Sequence, residues 1–178
     1  AQLGTTHLVS KSRAGNLEKN AWTPVISQNG DYVTFSSDGV FNVDNGEYSY
    51  SCNTSGSSPL CSSVIFRYHR PSDTIQRLYP YYYPGKHDYR AKMDSSGELV
   101  FFDSNKTNLD ASIIDTNGMT DVYVKNTTTG SIQLAYPFID PSRVSHFQPS
   151  GDGTYLAVAV GGSVGCSANC PSSVGWPG

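Results

Sequence analysis

Three groups of residues combine side-chain type and spacing in a way that could do chemistry. The first is Asp115-Thr116-Asn117-Gly118-Met119-Thr120-Asp121, with oxygen-bearing side chains at Asp115, Asn117 and Asp121 around a glycine. Calcium takes roughly six to eight hard oxygen ligands, and a loop of this form supplies some of them. The same residues also make an Asx-turn, in which Asp115 and Asn117 bond their own backbone at the start of a strand. No glutamate follows at the position where an EF-hand closes on its ion. The second group is aromatic: Tyr79, Tyr81, Tyr82, Tyr83 and Tyr89, with His87, Arg90 and Trp22. Aromatic faces stack on sugar rings or anchor a partner protein, and the tyrosine hydroxyl remains a polar handle. Packing between sheets uses the same residues. Consecutive strand residues face opposite ways, so Tyr81, Tyr82 and Tyr83 cannot all point inward. Tyr81, Tyr82, Tyr83, Tyr89 and Arg90 are therefore the expected binding surface.

The third group is the cysteines. Cys52 and Cys61 bracket the loop NTSGSSPL, and Cys166 and Cys170 bracket SAN. Pairs that close Ser/Gly/Asn loops read as disulfides, Cys52–Cys61 and Cys166–Cys170, and imply an oxidising compartment. Zinc is the rival, although this spacing is looser than most structural zinc sites use. Catalysis finds little support. Acidic residues occur singly, His7, His69, His87 and His146 stand in separate segments, and no G-x-S-x-G nucleophile elbow exists. Asn53-Thr54-Ser55, Asn105-Lys106-Thr107 and Asn126-Thr127-Thr128 match the N-glycosylation sequon.

The elements that must position these groups are short strands, and they repeat. Ser27-Gln28-Asn29-Gly30-Asp31-Tyr32-Val33-Thr34-Phe35 aligns with Asp94-Ser95-Ser96-Gly97-Glu98-Leu99-Val100-Phe101-Phe102. Both align with Ser150-Gly151-Asp152-Gly153-Thr154-Tyr155-Leu156-Ala157-Val158. The shared pattern is a turn ending in glycine, then a strand. The glycines are 67 and 56 residues apart, so loops vary in length while strands do not. A final strand recurs as well, Ile75-Gln76-Arg77-Leu78-Tyr79-Pro80 against Ile132-Gln133-Leu134-Ala135-Tyr136-Pro137. A repeated unit of about 40–50 residues with four strands is the mark of a β-propeller blade.

The chain resembles the WD40-like PD40 repeats of the TolB type, found in bacterial extracytoplasmic propellers. Their blades read roughly S-x-D-G-x-Y-V-x-F-x-S, then D-T-N-G-x-x-D-V-Y-V, then T-G. The matching pieces here are Ser27 to Ser36, Asp115 to Val124, and Thr129-Gly130. The departures are Asn29 in place of Asp, and cysteine-bearing loops where the outer blades should carry D-T-N-G. The resemblance implies an all-β fold, a β-propeller or propeller segment of four-stranded antiparallel blades, about three in this chain. Residues 1–10 would be the outermost strand of a preceding or closing blade, 20–80 a blade, 88–137 a blade and 143–178 an incomplete one. Three blades are too few for a ring. The chain is thus expected to belong to a longer polypeptide or to complete a ring with other copies, with Gly4 to Val9 supplying a closing strand.

Composition bounds the function. The chain has 178 residues, 37% hydrophobic and only 15% charged, with 17 glycines and 12 tyrosines, which suits a loop-rich β protein. A formal charge of −3 and a pI near 5.7 argue against nucleic acid, whose phosphates need a basic field. No apolar run approaches the ~20 residues of a membrane-spanning helix. The expected function is a non-catalytic module, extracellular, at the cell surface or periplasmic, that binds protein or carbohydrate, with calcium the one candidate cofactor. The alternatives are a self-assembling subunit of a surface fibre or layer, and an accessory propeller of a secreted hydrolase.

Overall fold

The computed structural model describes residues 6, 8–10, 21–37, 52–53, 60–61, 63–79, 86–107, 109, 112, 119–136 and 143–161. Every regular element among them is a strand. The first sheet is made of β1 (Ala21–Ile26), β2 (Tyr32–Ser37), β5 (Val64–His69) and β6 (Thr74–Arg77), in the order β1-β2-β5-β6. Its strands run antiparallel as a meander, interrupted between β2 and β5 by a small hairpin, β3 (Cys52–Asn53) and β4 (Leu60–Cys61). The second sheet repeats the meander with β7 (Asp88–Met93), β8 (Leu99–Ser104), β9 (Asp121–Asn126) and β10 (Ile132–Tyr136). β11 (Arg143–Pro149) and β12 (Leu156–Gly161) pair in a third. The all-β class and four-stranded antiparallel units read from the repeat are thus present. The segment read as a closing strand shows none at Leu8–Ser10. Instead Val9 packs on the first sheet.

The repeated turn explains why these residues fold this way. Each opens with an N–H donating across the turn: Ser27 to the Tyr32 carbonyl at 2.9 Å, Asp94 to Leu99 at 3.1 Å and Ser150 to Tyr155 at 2.9 Å. A hydroxyl and a carboxylate or amide, two residues apart, bond each other inside each turn: Ser27 with Asn29, Ser96 with Asp94, Ser150 with Asp152. The pair then accepts the next two strand N–H groups, such as Thr154 on Asp152 and Tyr155 on Ser150. In the middle turn Asp and Ser exchange places and the network is unchanged. Asp152 is held below the usual carboxyl range by the Ser150 hydroxyl and the Thr154 N–H. Gly30, Gly97 and Gly153 have φ of 74°, 76° and 71°, a backbone that glycine adopts without steric cost.

The sheets stack face to face. Ile65, Leu78, Ala91, Met93, Val100 and Phe102 close the space between the first and second, and Phe101, Val122, Val144 and Phe147 that between the second and third. Period-two alternation does this: Val100 and Phe102 face one neighbour, Leu99 and Phe101 the other. Each such side chain, fully buried, contributes about 1.5–3 kcal/mol. β7 lies against β1, β2 and β5, and β11 against β7 and β9, so the first strand of each sheet is its junction with the preceding one. All three first strands carry a register irregularity near their start, between Trp22 and Val25, Asp88 and Ala91, and Val144 and His146. Bulges bend a strand locally, and their recurrence gives the sheets a common shape.

Candidate functional site

The junction of the second and third sheets opens, at the end opposite the repeated turns, into a cleft of about 330 Å³. β7 brings Tyr89 and Arg90 to it, and the end of β8 brings Asp103 and, just beyond, Asn105. Met119 and Thr120, directly before β9, and Val144 of β11 complete it. The volume sits at the lower end of ligand pockets.

Its charges are largely spent within the protein. Asp103 is buried and accepts from Arg90 three times: the backbone N–H at 2.6 Å on one carboxylate oxygen, Nε at 2.9 Å and a terminal nitrogen at 2.5 Å on the other. Arg90 also donates to the Val144 carbonyl at 3.1 Å, and its guanidinium lies over the Phe147 ring. Burial pushes the Asp103 carboxyl above its usual range, while Arg90 pulls it back. The pair ties the second sheet to the third. Tyr89 remains the open aromatic face, 41% exposed, with its ring tilted against His87 and its hydroxyl 3.5 Å from the Asn105 amide nitrogen. An aromatic ring, an amide, a threonine hydroxyl and a methionine suit an uncharged polar ligand better than an ion.

Behind the cleft lies a network that the sequence did not announce. Lys106 is fully buried, and its ammonium donates to Asp88 at 2.7 Å, to the Tyr79 hydroxyl at 2.8 Å and to the Ser63 carbonyl at 3.1 Å. The Tyr79 hydroxyl donates to the same Asp88 oxygen. Burial lowers the Lys106 pKa against the opposing pull of Asp88. Tyr79 is pushed well above the usual tyrosine range by burial and then by the Asp88 charge. Tyr79 is a core residue, not part of an aromatic surface. The Ser63 hydroxyl lies 3.3 Å from His87 Nδ1 but is buried and donates to the Asp88 carbonyl at 2.5 Å. His87 Nδ1 accepts the Ser63 N–H. This serine–histidine contact holds a chain crossing in place and presents no nucleophile.

Of the expected binding residues, Tyr89 and Arg90 meet at this cleft, while Tyr81, Tyr82 and Tyr83 lie outside the described residues. Of the expected calcium set, Asp121 is buried at the start of β9, opposite Ser104. Asp115 and Asn117 lie outside the described residues, among which no cluster of three or more His, Cys, Asp or Glu side chains gathers. Cys52 stands directly opposite Cys61 in the β3–β4 ladder. Opposed residues in such a ladder have Cα atoms about 4.5–5.5 Å apart, within the roughly 4.4–6.8 Å a disulfide spans. Cys166 and Cys170 lie outside the described residues. Two sequon asparagines are engaged by their side chains: Asn105 accepts the His87 N–H at 2.7 Å, and Asn126 accepts those of Thr128 and Thr129. A second cleft, of about 260 Å³, lies where Arg67, Arg77 and Lys125 meet between the first two sheets. There Arg67 stacks on Tyr32 and donates to the Gly97 carbonyl, and Lys125 donates to that of Gly130. No described helix is long and apolar enough to cross a membrane.

Fold and site together define an all-β array of stacked antiparallel blades with a polar, aromatic-rimmed cleft at one junction. No protein-family model matches the chain, and no curated protein sequence matches it. Among solved structures it is similar to the crystal structure of TolB from Acinetobacter baumannii, with 15% identity and a TM-score of 0.37. That match covers 68% of this chain and 22% of the TolB chain, so the chain spans about a fifth of that protein's length.

Proposed function

We propose that this chain is a non-catalytic β-propeller module of an extracytoplasmic protein, of the PD40 repeat type, that binds a segment of a partner protein in the cleft between its second and third blades. The observation that carries this reading is the half-exposed Tyr89 ring beside the Asn105 amide, above an Arg90–Asp103 pair whose charges already satisfy each other. Such a site offers an aromatic anchor and neutral hydrogen-bonding groups, which is what a polar peptide segment needs. An uncharged carbohydrate is the second reading, favoured by the same exposed ring. The opposed Cys52 and Cys61 support the oxidising compartment. Protein isolated after secretion is expected to show no thiols that alkylate without reduction.

Selection from a displayed peptide library against the wild-type protein, alongside a panel of labelled neutral oligosaccharides, tests the site. The ligands recovered should lose about 2 kcal/mol with Tyr89→Ala, roughly thirtyfold in Kd. Peptides recovered with this sensitivity support the first reading and oligosaccharides the second. Ligands that bind wild type and Tyr89→Ala equally would remove the cleft from the function.

A further inference from the structure

The cleft of about 260 Å³ between the first two sheets is lined by Arg67, Gln76 and Arg77 on one side and by Lys125, Thr127 and Gly130 on the other. Period-two alternation turns two of these side chains toward each other. Arg67 shares a face of β5 with Ile65, and Ile65 packs into the core between the first and second sheets. Lys125 shares a face of β9 with Tyr123, which packs into the same core from the other sheet. Two cations therefore stand on facing sheets at one end of a shared apolar junction.

The blade itself does not require a cation at the Arg67 position. Tyr32 and Leu99 occupy the same place in the repeated turn and strand, and they pair with His69 and Asn126. Val124 is thus the counterpart of Arg67 in the second sheet, and it packs against the core between the second and third sheets. The second junction uses an apolar side chain where the first carries a guanidinium.

No carboxylate touches the pair. Arg67 Nε donates to the Gly97 carbonyl at 3.1 Å and Lys125 to the Gly130 carbonyl, both neutral acceptors. Among the described residues neither cation belongs to an ion pair. Burial lowers the pKa of both. For Arg67 the Tyr32 hydroxyl, Asp94 and Glu98 pull the other way, and for Lys125 no group does. Asp94 and Glu98 do not line the cleft, and both Asp94 oxygens already accept inside their own turn, from Ser96 and Leu99. Like charges set on opposite walls and partly withdrawn from water repel each other, and an anion between them relieves both.

We infer that this cleft binds a ligand through a phosphate group. The charge of a phosphate monoester, about −1.5 to −2, answers two cations, whereas one carboxylate leaves them half balanced. The guanidinium supplies a planar fork for phosphate oxygens and the ammonium a point charge. Gln76 and Thr127 border the site with neutral polar groups. The inference is independent of the Tyr89 cleft and its ligand.

Titration of the isotope-labelled chain with inorganic phosphate, read by amide chemical shifts, tests it. The Gln76, Thr127 and Gly130 amides should move and saturate with a Kd of about 1 mM or tighter. Sodium chloride at equal ionic strength should leave them in place, since screening alone is not binding. Lys125→Met, which keeps the apolar stem, should weaken phosphate by at least about fivefold, and Lys125→Arg should retain it. Lys92→Gln, which removes a cation of β7 outside the cleft, should change nothing. Far-UV circular dichroism should be the same for all three variants. Acetate should bind at least about fivefold more weakly than phosphate. Shifts that chloride reproduces, equal losses in Lys125→Met and Lys92→Gln, or acetate bound as tightly as phosphate would each overturn the inference.

Discussion

At the scale of single residues the molecule is distinguished by a charge it hides. Lys106 and Asp88 are fully buried partners, and their ion pair sits where β7 and the end of β8 meet the first sheet. Neither charge would survive there alone, because desolvation of one ion costs more than hydrogen bonds to neutral groups return. Asp88→Ala should therefore cost about 3–5 kcal/mol in urea unfolding, since it strands the Lys106 ammonium. Adding Lys106→Met to that variant should recover most of the loss, because an apolar pair of similar volume needs no compensation. A loss below about 1 kcal/mol for Asp88→Ala would show that Tyr79 and the Ser63 carbonyl suffice to hold the cation.

At the scale of elements the repeated turn does two separable things. It reverses the chain with a left-handed glycine, and it presses that glycine on the neighbouring blade. Gly30 and Gly97 separate these roles, since both have positive φ but only Gly97 is in contact. Gly30→Ala should cost about 1 kcal/mol, the backbone component alone. Gly97→Ala should cost about 2–4 kcal/mol, because Tyr32 must also move from under a Cβ and its stacking with Arg67 is disturbed. Equal losses would mean that the junction yields freely and that the close approach contributes nothing.

At the scale of the whole molecule, buried tyrosines set the alkaline limit. Tyr68 is pushed up to about 12 by burial and its hydrogen bond to Asp73, and Tyr79 also lies well above the ordinary value of 10.0. In the folded chain both keep their protons where the unfolded chain has lost them. The stability they contribute is complete below pH 10 and declines as pH rises from there toward 12. Unfolding free energies from urea titrations at pH 9, 10 and 11 should fall mainly over the upper interval, by at most about 1.4 kcal/mol per pH unit for each tyrosine. Tyr68→Phe or Tyr79→Phe should flatten the decline by the share of the residue removed. An unfolding free energy constant across that range would contradict the protonation assigned to the folded state.

The repeat was legible in the sequence because its causes are local. A Ser/Asp or Ser/Asn pair around a positive-φ glycine caps its own turn, and alternating apolar residues after it can bury one face toward each neighbour. Those facts determined the strands, the three units and the all-β class without reference to any distant residue. That neighbouring tyrosines cannot all point inward concerns Tyr81, Tyr82 and Tyr83, which lie outside the described residues, and the exposure of Tyr89 had no signal of its own. Lys106 was not legible either, because nothing in Asn105-Lys106-Thr107 tells a solvated loop from a buried ammonium; the difference is Asp88 and Tyr79, far off in the chain. Arg90 reads in the sequence as part of a binding surface, and only the fold sets Asp103 of β8 beside it. Local sequence decided what each blade is, and tertiary packing alone decided which charges are neutralised, since that depends on groups brought together only by the stacking of one sheet on the next.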